Sequence, residues 1–232
     1  MGKIYLKQNL IKRLLSNVYF INGTAYAGKS TMVRLLAEKH NGIECGENYH
    51  DRLMYLIDEV NQPNLKYFET MSGWQEFLNR SPEEYYDWMK GVSEEASELE
   101  IIELIRRSEE GKPIFVDTNI SLEMLHQISD YNHVAVMVSP QSMSVGRFFD
   151  RPDQEKQFLL SKIKEAENPI KTMQNFKACI AKINSQEEYD KFVNSGFFVF
   201  KRDGSKTIDE TLEILEQHFG LTKSLKYDTK SI

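Results

Sequence analysis

Residues 23–30 read Gly23-Thr24-Ala25-Tyr26-Ala27-Gly28-Lys29-Ser30, with Thr31 next, and fill every fixed position of G-x-x-x-x-G-K-S. Such a loop demands a strand before it and a helix after it, so it constrains the fold more than any other segment. Its glycines let the backbone curl, turning successive N–H groups inward as a cradle for phosphate oxygens. Lys29 supplies a cation for the β- and γ-oxygens, and the Ser30 hydroxyl suits a Mg²⁺ ion. The context is right on both sides. Val18-Tyr19-Phe20-Ile21 is a short apolar run typical of a buried strand. Met32, Leu35, Leu36 and Lys39 follow at helical spacing, and Asn41-Gly42 is a stop signal.

Beyond the loop, apolar runs alternate with helical stretches, which predicts an α/β domain in three layers with a parallel sheet of about five strands. The strands are expected at Val18–Asn22, Ile43–Cys45, Ile114–Asp117, Val134–Val138 and Phe197–Phe200. Ser81-Pro82-Glu83-Glu84 and Thr207-Ile208-Asp209-Glu210 are capping boxes that open helices. In the first, Gly91 is expected to break the helix and Ser93 to restart it, the run continuing through Leu99, Ile102, Leu104 and Ile105. The 232 residues suit a single domain. Two intervals exceed what a crossover needs: 61–110 is expected as a helical cover on the acceptor side, and 151–194 as a helical lid.

A net charge of −6 argues against a general nucleic-acid binder. No segment has the length and apolarity of a transmembrane span, and no export signal is evident, so a cytoplasmic location is expected. Lys3, Lys7, Lys12 and Arg13 interleave with Ile4, Leu6, Leu10, Ile11, Leu14 and Leu15, which predicts an amphipathic helix packed on the domain. A membrane-surface helix is the alternative. Cys45 and Cys179 form neither a disulfide framework nor a metal-ligand pattern.

A triphosphate-binding loop also needs a carboxylate at a neighbouring strand tip to hold Mg²⁺. Lys112-Pro113-Ile114-Phe115-Val116-Asp117 ends an apolar run in an acid, so Asp117 is expected at the strand's carboxyl end, beside Ser30. Loop, strand-end Asp117 and the later arginines together resemble the small P-loop kinases of the nucleoside-monophosphate and shikimate kinase type. The resemblance implies ATP and Mg²⁺ as cofactors and a small-molecule or nucleotide acceptor. It implies that Arg147 and Arg151, after Ser139-Pro140, stack on adenine and reach phosphate. It also implies that the Lys201–Ser205 loop, with Asp203 and Gly204, borders the base. The lid would bring Lys156, Lys162, Lys164, Lys171 and Lys177 towards the phosphates, although Lys162 with Glu165 equally suits a surface ion pair. No D-x-x-G or N-K-x-D follows Asp117, unlike a regulatory GTPase.

For the acceptor, an acid just after the second strand is expected to orient a hydroxyl and take its proton. Glu47, presented by Gly46, is the first candidate and Asp51 the second; Asp51 otherwise caps a helix. Tyr67, Phe68, Trp74, Phe77, Tyr85, Tyr86 and Trp88 either pack a core or wall a site for a flat acceptor. The function expected is Mg-dependent transfer of the ATP γ-phosphoryl group to a small molecule. The alternatives are an ATP-binding switch acting through a partner, and a nucleotide binder without turnover.

Overall fold

The computed structural model describes residues 7–140, 142, 143, 148 and 154–222. Five strands form one sheet: β1 (Val18–Gly23), β2 (Ile43–Cys45), β3 (Ile114–Asp117), β4 (Val134–Val138) and β5 (Phe198–Lys201). All pairings are parallel, in the order β2-β3-β1-β4-β5. A parallel sheet needs helices on both faces, which is why β4 and the first three residues of β3 are continuously apolar rather than alternating.

On one face Ile21, Phe115, Ala135 and Met137 pack against α2 (Lys29–Lys39) and the final helix, α10 (Ile208–His218). On the other, Phe20, Val116 and Val136 pack against α1 (Gln8–Leu14), α5 (Pro82–Ser108), α6 (Leu122–Ile128) and α9 (Gln186–Val193), through Ile11, Leu104, Leu125 and Phe192. Each fully buried Leu, Ile or Phe in these layers contributes about 1.5–3 kcal/mol. The amphipathic α1 lies on α6 as expected, pinned by Lys12 Nζ to Asp130 at 2.8 Å.

α2 follows β1 onto one face, and α6 follows β3 onto the other. The chain therefore parts between β1 and β3, the adjacent central strands, and leaves a crevice at their carboxyl ends.

The interval 61–110 contains two short helices, α3 (Tyr67–Thr70) and α4 (Trp74–Leu78), and then α5, which is one continuous helix of 27 residues. Gly91 does not break it. A side chain there would meet the Asn64 amide, at 2.4 Å from an added Cβ, so the glycine admits a crossing loop. Ser93 is likewise no restart: its hydroxyl donates to the Asn119 carbonyl at 2.7 Å. The stripe that α5 buries is Ala96, Leu99, Glu100, Glu103 and Leu104, while Ile102 is half exposed. α7 (Gln154–Lys164) and α8 (Pro169–Ile183) close over α4 and α5 through Phe77, Leu78, Tyr85, Ile163, Phe176 and Ile180. The two long intervals thus share one core. Among the described residues, no helix is long and apolar enough to cross a membrane. Cys45 and Cys179 are both free and buried.

Candidate functional site

The loop after β1 is held by backbone conformations its sequence permits. Gly23 has φ +128°, and a Cβ there would lie 1.9 Å from the Met137 carbonyl oxygen. Only glycine lets the chain pass this close to β4, where Thr24 N–H donates to Met137 O at 3.0 Å. Gly28, at φ +92°, is the first-turn boundary of α2, which has no capping side chain. The N–H groups of that turn therefore open towards the loop unpaired within the helix, as an anion site requires. From β4, Ser139 braces the loop: its N–H donates to Thr24 Oγ1 and its hydroxyl to Ala25 O, both at 2.8 Å. From beyond β5, Arg202 Nη1 donates to Tyr26 O at 3.0 Å and lies against Gly28.

At the head of α2, Ser30 Oγ donates to Asp117 Oδ2 at 2.7 Å. Lys29 Nζ lies 3.6 Å from Asp117 Oδ1 and 3.3 Å from Thr24 O. Asp117 is the last residue of β3 and is 6% exposed, so its carboxylate depends on these partners. The structure thus brings together Gly23–Thr31, Lys29, Ser30 and Asp117. The donor set fits Mg²⁺, which takes one or two protein oxygens and fills the rest of its shell with water and phosphate. No group of three or more His, Cys, Asp or Glu suited to a metal occurs among the described residues.

Two cavities flank the loop. The smaller, about 80 Å³, lies between Ala27, Gly28, Thr31, Phe200, Arg202 and Thr211. The larger is an open cleft of about 410 Å³ lined by Asn22–Tyr26 of the loop, Tyr86, Lys90 and Ser93 of α5, Asn119–Glu123, Lys156, and Asn184–Lys191 positions including Glu188. Glu188 Oε1 accepts from Tyr86 OH at 2.8 Å and from Lys191 Nζ at 2.5 Å. Of the lid lysines, Lys156 lines this cleft, whereas Lys162 pairs with Glu165 at 2.8 Å.

The acceptor residues expected from sequence fall elsewhere. Glu47 and Asp51 are exposed, and neither lines the cleft. Asp51 is the first residue of a 3-10 turn, Asp51–Leu56, and does not cap it. Trp74 and Trp88 also stay out of the cleft; they pack on the Phe77 and Phe176 core, with the Arg80 guanidinium 3.9 Å above the Tyr67 ring. Asp203 accepts Ser205 N–H at 2.8 Å in an exposed turn with Gly204, and Arg202 is the residue of this segment that reaches the Gly23–Ser30 loop. Arg147 and Arg151 lie outside the described residues.

Behind Asp117 sits a group the sequence reading missed. Glu100 of α5 is buried, and its Oε2 accepts Thr118 Oγ1 at 2.6 Å and Tyr49 OH at 3.0 Å. His50 Nδ1, buried without a hydrogen bond, is 3.7 Å from Glu100 Oε1. Burial pushes the Glu100 carboxyl up to about 7, against the pull of those hydroxyls, and the neighbouring Asp117 charge adds to the rise. The same burial lowers the His50 imidazole. A readable signal did exist: in A-S-E-L-E-I-I-E-L, Glu100 and Glu103 fall on the apolar stripe of α5.

No protein-family model, curated protein or solved structure matches this chain.

Proposed function

We propose that this chain transfers the γ-phosphoryl group of Mg–ATP to a hydroxyl of a small molecule seated in the 410 Å³ cleft. The observation that carries this reading is the Ser30–Asp117 hydrogen bond of 2.7 Å at the head of α2, with Lys29 beside it. Ser30 and Asp117 would hold Mg²⁺, which when bound would supply neutralising charge at the transferring group. The loop N–H groups and the start of α2 hold the phosphates in place. Lys29, which now leans on Thr24 O and Asp117, would turn to the phosphate oxygens. The base side of the nucleotide belongs next to Phe200, Arg202 and Thr211. The acceptor belongs among Tyr86, Ser93, Ser121 and Glu188, because loop residues Gly23–Tyr26 form one wall of that cleft. In phosphoryl transfer, such positioning accounts for most of the catalysis.

Tyr55 and Val60, 79% and 81% exposed, favour a second reading in which ATP drives docking of a protein partner. ADP formation from Mg–ATP separates the two. It is measured with wild type and Lys29→Ala against pools of nucleosides, nucleoside monophosphates, sugars, hydroxy acids and amino alcohols. Turnover that needs one pool and is lost in Lys29→Ala supports the kinase. Turnover indifferent to every pool supports the switch.

A further inference from the structure

The segment after Asp117 is laced to its surroundings at every residue. Thr118 N–H donates to Ile21 O at 3.2 Å, and its hydroxyl both donates to Glu100 and accepts Ile120 N–H at 3.0 Å. Asn119 O accepts the hydroxyl of Ser93, on the same helix as Glu100, at 2.7 Å. Ile120 O accepts Asn22 Nδ2 at 2.7 Å, and Asn22 Oδ1 accepts the N–H of Gly23, the first residue of the phosphate loop, at 2.5 Å. A hydrogen-bonded chain therefore runs from Glu100 through Thr118, Ile120 and Asn22 to Gly23. At its head stands a carboxyl group only 2% exposed, which would be costly here unless its acceptor capacity were used.

We propose that Glu100 is a positioning residue for the metal–nucleotide site: by fixing Thr118 it sets the backbone that aims Asp117 at Ser30. The proposal rests on the reading above, in which Ser30 and Asp117 hold the metal. Glu100 suits the task because one carboxyl accepts two hydroxyls at once, and so fixes Tyr49 and Thr118 relative to one rigid helix. The same helix lines the acceptor cleft with Tyr86, Lys90 and Ser93, so metal site and cleft share one support. Outer-shell partners of metal ligands have this role generally, and their loss weakens the metal site without removing a ligand.

The test measures ATP affinity by calorimetry with Mg²⁺ and with EDTA, taking the ratio of the two dissociation constants as the coupling between metal and nucleotide. Thr118→Val keeps the shape and deletes the hydroxyl, whereas Thr118→Ser restores it. Thr118→Val is expected to lower the ratio about tenfold, with ATP affinity in EDTA held within about twofold and Thr118→Ser close to wild type. A wild-type ratio in folded Thr118→Val overturns the proposal, as does equal weakening with and without Mg²⁺, which marks a purely structural role. If Thr118→Val loses its circular-dichroism signature, Tyr49→Phe decides instead. It deletes one donor to Glu100 and is expected to lower the ratio roughly fivefold, and an unchanged ratio there overturns the proposal. A wild-type protein whose ATP affinity ignores Mg²⁺ overturns the kinase reading itself, and this proposal with it.

Discussion

Glu103 is fully buried on α5 and gathers three guanidinium groups. Arg107 Nε lies at 2.6 Å, Arg106 Nε at 2.9 Å and Arg52 Nη1 at 3.4 Å. The Arg106 hydrogen bond, then that of Arg107, holds the carboxyl down at about 2 against an ordinary 4.5, despite burial. That difference sets a ceiling of about 3.4 kcal/mol, at 1.36 kcal/mol per pH unit. Arg52 and Arg106 are about half exposed, so water screens part of this, and about 2 kcal/mol is the expected cost of Glu103→Gln at neutral pH. A group with a depressed value stabilises the fold above its unfolded value and loses that contribution as pH falls through the folded one. The cost must therefore be complete above pH 4.5 and fade towards pH 2. Urea unfolding of wild type and Glu103→Gln at several pH values between these limits measures it. A gap that stays constant across the range, or no gap at neutral pH, refutes the reasoning. The effect should reach the end of β2 as well, because Arg107 also donates to Cys45 Sγ at 3.1 Å.

Glu100 should show the opposite sign. Its raised value means that stability is complete below 4.5 and is lost as pH rises through about 7, so Glu100→Gln should gain about 2 kcal/mol on wild type above that point. Parallel melting curves with no gap opening on the alkaline side would contradict this. Gly23→Ala forces a Cβ to 1.9 Å from Met137 O at φ +128°, and should destabilise by roughly 3 kcal/mol or more and abolish ATP binding, read by thermal melts and calorimetry. Arg202→Ala removes the bond to Tyr26 O and should weaken ATP binding about fivefold while thermal stability barely moves. A large loss of stability would make Arg202 a structural tie instead.

The central strands were legible because a parallel sheet buried on both faces writes its members as continuous apolar runs, and β3 and β4 lie where such runs stand. β5 begins one residue later than expected, since Phe197 leaves the strand to stack on His126 at 4.0 Å. The glycine turn into α2 and the strand-end place of Asp117 were legible because their residue types have few other uses at that spacing. Gly91 was misread because its role is to admit Asn64, a partner remote in sequence. Glu100 and Glu103 were missed because a run of apolar letters around them hid the phase of α5, whose buried stripe includes both. Glu47 and Asp51 drew attention as a local cluster. The cleft beside the loop left no such cluster in the sequence, because it is assembled from α5, the start of α6, and residues 183–192, which only the folded chain brings together. Arg202 carried no local signal, since its partner Tyr26 is 176 residues away.

The central claim is tested most directly by following the γ-phosphorus of ATP by ³¹P nuclear magnetic resonance, in wild type and Asp117→Asn, with the acceptor pool that supports turnover. The account predicts a new phosphate-ester resonance on the acceptor in wild type and none in Asp117→Asn. Phosphorus that appears only as inorganic phosphate, whatever the pool, would contradict transfer and mark the protein as a hydrolase.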